Sequence, residues 1–272
     1  MVWAQESSAA PAGGATADNF TGGRLIINAD DWGRSRETTD RILECCETKC
    51  VSSVSAMVFL EDSERAAALA RERDIDAGLH LNFTTPFSRE HSPALLREHQ
   101  QRIARRLLRH RFAQMIFFPD LIRSFEYVVS AQLDEFRRLY GTAPRRLDGH
   151  HHMHLCANVL WGGLLPRGTI VRRSFSFERW EKSCANRFFR RAVDYLLARR
   201  HSLADFFFSL MPLEPEVRLE RIFSLGRQFV VEVETHPINL REHQFLTEGE
   251  IVRWVSDCPI ADHFEGRSMD KD

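Results

Sequence analysis

From Arg24 to about Ser256 the chain alternates short β-branched runs with stretches of helical periodicity, and this rhythm restricts the fold more than any other feature. Arg24 to Asn28 (RLIIN) is a strand pattern that stops at Ala29-Asp30-Asp31-Trp32-Gly33. Further strand patterns lie at Val51 to Val58, Ile75 to Asn82, Arg145 to Gly149, Thr169 to Arg173, Leu203 to Phe208 and Phe229 to Val233. Between them fall helical patterns: one after Ser35, then Ser63 to Arg73 with Ser63 as its N-cap, Pro93 to Arg111, Phe125 to Tyr140, Asn186 to Arg200 and Thr247 to Ser256. Strand followed by helix throughout predicts an α/β fold with parallel strands and outer helices, as an open doubly wound sheet or as a barrel. No linker or repeat divides the pattern, so a single domain over residues 24–261 is expected. Residues 1–23 are Gly/Ala-rich and, with residues 262–272, read as flexible tails.

Composition narrows the partners. The chain has 272 residues, and its 37 basic and 38 acidic side chains leave a formal net charge of −1, which argues against wholesale nucleic-acid binding. No run of 18 apolar residues predicts a membrane span. The first residues lack the basic and apolar regions of a secretory signal. The six cysteines show no C-x-x-C spacing and read as reduced, mostly buried thiols, as expected of a cytoplasmic protein.

In parallel α/β folds the working groups collect where the strands end, because the connecting loops there share one rim. The strand patterns end in Asp30-Asp31, in His80, in His150-His151-His152-Met153-His154 and in His236. One Asp after a strand is ordinarily a turn or cap residue. Two adjacent ones gather negative charge, which a cation relieves, and one of them is then available as a base. Four of the 12 histidines fall within five positions, and in an extended chain His150, His152 and His154 would share one face. One carboxylate with two imidazoles is a mixed oxygen–nitrogen set suited to Zn²⁺, Mg²⁺, Mn²⁺, Ni²⁺ or Fe²⁺, and it leaves positions open for water and substrate.

LIINADDWG at Leu25–Gly33, SSVSAMV at Ser52–Val58, GLHLN at Gly78–Asn82, RLDGHHHMH at Arg146–His154 and EVETHP at Glu232–Pro237 occur in the order found in one family. The chain resembles the YdjC-like carbohydrate deacetylases. The resemblance implies a TIM-barrel-like (β/α) barrel, one divalent metal ion (Mg or Zn) as cofactor, and an N-acetylated sugar or oligosaccharide as partner. By position it implies Asp31, His80 and His150 as metal ligands, Asp30 as the catalytic base and His236 as an active-site residue suited to protonate the leaving amine. Trp32 stands where the family more usually has Phe. Trp32, His152 and Arg172 are the candidate substrate contacts, with Trp161 a further ring able to stack on a sugar, and His152 or Asp148 would orient an imidazole. A homodimer is compatible with this reading.

Two other functions fit parts of the pattern. A non-haem iron oxygenase also uses two His and a carboxylate, but normally with the carboxylate close to the first His, whereas Asp31 and His80 are 49 positions apart. A catalytically inactive metal- or sugar-binding protein gains little from the second carboxylate at Asp30. The basic run from Arg102 to Arg111 is expected to be the solvated face of a helix.

Overall fold

The computed structural model of the protein describes residues 22–89, 92–177, 181–255, 260–261 and 264. In chain order the elements are β1 (Arg24–Trp32), α1 (Arg36–Glu47), β2 (Ser53–Ala56), α2 (Ser63–Glu72), β3 (Ala77–Leu81), α3 (Ala94–Leu107), α4 (Ile122–Tyr140), β4 (Arg146–Gly149), α5 (Ala157–Gly162), β5 (Ile170–Val171), α6 (Cys184–Ala198), β6 (Phe206–Ser209), α7 (Glu216–Leu225), β7 (Val230–Thr235), α8 (Leu240–Thr247) and α9 (Val252–Val255). Seven strands form one sheet in the order β5-β4-β3-β2-β1-β7-β6, and every pairing is parallel. Isolated bonds from Val171 N–H to Ser202 O (2.9 Å) and from Ser176 N–H to Phe207 O (2.8 Å) link its two edges without a continuous ladder. No described helix is long and apolar enough to cross a membrane.

The two faces of this sheet differ in chemistry. Side chains alternate along a strand, and one set is apolar: Leu25, Ile27 and Ala29 of β1, Val54 and Ala56 of β2, Leu79 and Leu81 of β3, Val231 and Val233 of β7. These pack against the helices in two buried clusters. One lies under α2, α3 and α4, the other under α1, α7 and α8. The alternate set is polar and equally buried: Asn28 and Asp30, Ser53 and Ser55, His80, Arg146 and Asp148, Glu232 and Glu234. Register places these side by side, with Asn28 opposite both Ser53 and Glu234 and His80 opposite Asp148. Gly78 belongs to the same face, and a Cβ there would lie 2.8 Å from Cζ of Arg146. That space lets the Arg146 guanidinium reach Asn28 Oδ1 at 2.7 Å and Val54 O at 2.8 Å.

Several expectations need correction. Ser35 is the N-cap of α1 and accepts from Thr38 N–H. Ser63, however, lies inside α2, where its hydroxyl donates to Met57 O and accepts from Leu60 N–H, stitching the turn after β2. Of the terminal helix expected at 247–256 the described residues hold only the short α9, and a separate helix, α8, precedes it and ends at Thr247. Asn239, whose side chain accepts from Arg241 N–H, starts α8 earlier than the apolar pattern suggested. Helices α5 and α7 were not foreseen. His150 to Leu155 form a 3₁₀ turn rather than extended chain, so His150, His152 and His154 do not share a strand face. Of the expected tails, residues 1–21, 262–263 and 265–272 lie outside the described residues. Phe264 is buried, its N–H bonded to Asp76 and its ring over Arg146.

Because Ile27 is fully buried between the sheet and α1, α7 and α8, Ile27→Ala should lower unfolding free energy by about 2–5 kcal/mol. Urea denaturation at neutral pH measures this.

Candidate active site

The polar face of the sheet opens at the strand ends, and the end of β1 sets its geometry. In a regular strand Asp30 and Asp31 would point to opposite faces. The pairing of β1 with β2 shifts register between Ala29 and Trp32, and Asp31 adopts φ 70, in the left-handed region that non-glycine residues seldom occupy. The bulge turns Asp31 inward beside Asp30 and sends Trp32 outward. Holding a non-glycine residue there costs on the order of 1 kcal/mol, and such costs concentrate at functional sites.

Asp31 Oδ1 lies 2.9 Å from His150 Nδ1 and 3.5 Å from His80 Nε2. All three side chains are buried, and Asp31 Oδ1, His80 Nε2 and His150 Nε2 lack a hydrogen-bond partner. Buried polar atoms are normally bonded, so the unbonded Asp31 Oδ1 and His80 Nε2, 3.5 Å apart and with His150 Nδ1 2.9 Å from the first, suit a cation. Potential ligand atoms of Asp31, His80 and His150 all lie within 4.8 Å of one another, and these residues could hold a metal ion. A second group, Asp30, His80 and Asp148, meets the same distance criterion. Its atoms are already engaged: Asp148 Oδ1 accepts from His80 Nδ1 at 2.8 Å, and Asp148 Oδ2 accepts from Ser55 Oγ at 2.5 Å. A carboxylate cannot donate, so Nδ1 of His80 carries the proton and Nε2 is left facing Asp31. Asp148 is thus the orienting partner that the sequence suggested.

Asp30 is held differently. Its Oδ1 accepts from Asn28 Nδ2 and Arg172 Nη2, both at 2.7 Å, and its Oδ2 accepts from Arg172 Nη1 at 2.7 Å. Oδ2 also faces Nε2 of His236 at 3.9 Å. Arg172 is itself buried and lies 2.7 Å from Glu232, 2.9 Å from Asp148 and 3.3 Å from Glu234. One guanidinium therefore serves four carboxyl groups. Burial would raise the pKa of Asp30, but the charge and bonds of Arg172, with His80 and His236 nearby, hold it well below the usual carboxylate range. Asp31 and Asp148 are likewise held low despite burial, chiefly by His150 for the first and Arg172 for the second. Burial, with Asp30 alongside, pushes Glu234 well above its ordinary value.

His236 is the most exposed member of the group, its side chain 37% accessible. Its backbone is clamped from both ends: the N–H donates to Glu242 Oε2 at 2.7 Å, and the C=O accepts from Asn239 N–H at 2.8 Å. Glu242 is three residues after the N-cap Asn239, where a capping-box glutamate normally returns to the cap's own N–H. Here it reaches back to His236, and burial pushes its carboxyl up to about 7.

Three proposed substrate contacts fare unequally. Trp32 is fully buried on the helix side, its indole N–H bonded to Ala66 O, so it offers no face to a sugar. Arg172 is equally enclosed and neutralises carboxylates. His152 is partly exposed and lies 3.7 Å from Glu234, its ring against Phe175. His151 and His152 both take positive φ, at 54 and 56, which turns the two rings away from the helical path. Trp161 is exposed and packs on Phe117. The sequence reading missed Glu232, Glu234, Asn28 and Glu242. The first two left a signal, since they alternate with valines in an otherwise apolar strand.

At the C-terminal rim of this parallel sheet, then, three buried residues that could hold a metal ion lie beside a carboxylate held by an arginine. Residues 24–247 match the YdjC-like protein family, and the chain belongs to that family. It is 32% identical over 132 residues to a chitooligosaccharide deacetylase of Enterobacter sp. (strain 638), covering 48% of this chain and 50% of that protein. It is 33% identical over 141 residues to a carbohydrate deacetylase of Mus musculus, covering 50% of this chain and 44% of that one. The chain thus matches about half the length of these relatives. The crystal structure of an Enterococcus faecalis V583 protein, provisionally named a cellobiose-phosphate cleavage protein, superposes with a TM-score of 0.64 at 17% identity over 88% of this chain and 97% of that one. That likeness concerns the fold alone.

Removing one partner of a buried charge network strands the others. Arg172→Met should therefore cost about 3–5 kcal/mol of stability at pH 7. In the parent protein Asp30 and Asp148 have depressed pKa values, so their contribution is present above the unfolded carboxylate range and lost as pH falls through the folded values. The gap between parent and variant should accordingly hold down to about pH 4, the ordinary carboxylate range, and narrow as pH falls below it, as read by denaturant titration at each pH.

Proposed function

We propose that the chain is a metal-dependent carbohydrate deacetylase, a hydrolase that removes the N-acetyl group from an amino sugar or oligosaccharide. The observation that carries this reading is the gathering of buried Asp31, His80 and His150, with Asp31 Oδ1 and His80 Nε2 unbonded, next to the arginine-held Asp30. The deacetylase relatives support the substrate class, and the bonds bridging β5 and β6 support a TIM-barrel-like closure of the sheet. The five described cysteines are free thiols, in keeping with a cytoplasmic setting.

Asp31, His80 and His150 would hold one divalent ion, Mg²⁺ or Zn²⁺. Bound there, such an ion lowers the pKa of a water ligand and provides positive charge for a developing oxyanion. Asp30 takes a proton from the attacking water. Its Oδ1 is saturated by Asn28 and Arg172, so Oδ2, the oxygen that faces His236, is the working atom. Arg172 keeps this carboxylate ionised and fixes its plane. The water oxygen bonds to the acetyl carbon, the carbon–nitrogen bond breaks, and His236 gives a proton to the departing nitrogen, leaving acetate and a free amine. His236 suits that role because its ring is open to solvent while its backbone is held by Glu242 and Asn239. Asp148 keeps the proton of His80 on Nδ1, and so keeps Nε2 available to a metal.

Asp30→Asn should lower acetate release from an N-acetylglucosamine oligomer by about 10²-fold or more while leaving bound metal unchanged. Unchanged turnover removes Asp30 from the base role. His150→Ala should lose metal as well as activity, measured by elemental analysis of the purified variant. Full occupancy in that variant reassigns the ligand. Chelation should abolish acetate release and a divalent ion restore it; activity indifferent to chelator contradicts the reading.

A further inference from the structure

Helix α6 is poorly covered for its length. Of its 15 residues only Val193 and Leu197 are buried. Phe188, Phe189, Tyr195 and Leu196 are exposed, Phe188 at 76% and Tyr195 at 67%. A surface helix normally turns its apolar stripe inward, whereas α6 leaves most of its apolar side chains in water. The connection that follows α3 behaves alike, with Leu108, Phe112, Met115 and Ile116 all exposed. The two segments face each other across a cleft of about 510 Å³, lined by Phe112 and Met115 on one side and Phe189 and Arg190 on the other. Eight of the 17 large apolar side chains exposed among the described residues thus fall on these two segments, at the mouth of a cleft whose floor includes His151 and His152.

Charge on the same rim is one-sided. Residues 102–116 contain Arg102, Arg105, Arg106, Arg109 and Arg111 and no Asp or Glu. Helix α6 adds Arg187, Arg190 and Arg191, and its one acidic residue, Asp194, is bound to Arg173 at 2.7 Å. Of these eight arginines, Arg106 pairs with Asp120 at 3.3 Å, and the half-buried Arg190 donates to Asn186 at 2.8 Å and lies over Phe177. The concentration is notable in a chain whose formal net charge is −1.

We propose that this rim, formed by α6 and the segment after α3, is a docking surface for an anionic lipid bilayer. Exposed aromatic and aliphatic side chains interleaved with arginines are the composition of an interfacial segment. The apolar groups enter the boundary between headgroups and acyl chains, and the guanidinium groups pair with lipid phosphates. A second copy of the chain fits poorly, because a two-fold contact through this surface would set arginines against arginines. A nucleic acid would match the charge but leave Leu108, Met115, Ile116 and Phe188 without an apolar partner.

The test is co-sedimentation of the full chain with vesicles of phosphatidylcholine alone and of phosphatidylcholine mixed with phosphatidylglycerol. Partitioning onto the mixed vesicles should exceed that onto neutral ones at least about tenfold and weaken with added salt. The double variants Phe188→Ser/Met115→Ser and Arg105→Glu/Arg191→Glu should each lower it at least about fivefold, with circular dichroism and thermal midpoint unchanged. Three results would overturn the proposal. The chain could ignore anionic vesicles at low salt. Binding could respond to the arginine variant but not to the apolar one, with a single-stranded RNA bound as tightly. Light scattering could reveal a dimer that the Phe188→Ser/Met115→Ser variant dissociates.

Discussion

A single buried guanidinium makes the interior of this sheet possible. Arg172 touches Asp30, Asp148, Glu232 and Glu234 at once, on a strand face that most α/β proteins fill with branched apolar residues. Without it, those carboxyl groups would have to be protonated or hydrated, and Asp30 would not be ionised in a dry environment. Buried charge of this kind is weak evidence for stability, since desolvation offsets much of the attraction. Its value, on the function proposed above, lies in holding Asp30, the Asp31–His80–His150 group and Asp148 in fixed relation.

The separation of labour between the faces of the sheet follows from the same constraint. Stability comes from the outer face, where apolar strand residues meet the helices in two clusters. The inner face is left to polar groups, and its geometry is set by departures from regular structure: the bulge at Asp31, the room at Gly78 and the paired left-handed residues His151 and His152. Each of these aims a side chain where ideal strand geometry would not.

Much of the fold was legible in the sequence because strand and helix periods alternate cleanly, and the strand ends displayed Asp30, Asp31, His80, His150 and His236 in plain view. What was hidden depends on contacts between distant segments. The role of Arg172 cannot be read from TIVRR, since it is set by partners more than 20 residues away. Trp32 looked like a sugar platform because it follows the Asp pair, yet the bulge that turns Asp31 inward turns Trp32 out under α2. The histidine cluster suggested an extended segment, but a 3₁₀ turn with two positive φ angles separates its rings. Glu242 escaped notice because its bond partner is a backbone N–H, which leaves no trace in residue type.

The central claim is that Asp31, His80 and His150 form one divalent-cation site. Anomalous diffraction from crystals soaked with zinc, recorded on either side of the zinc absorption edge, tests it most directly. A single strong peak among Asp31 Oδ1 and the imidazole nitrogens of His80 and His150 is the predicted result. A map with no peak there, or with its strongest peak between Asp30 and Asp148, would contradict it.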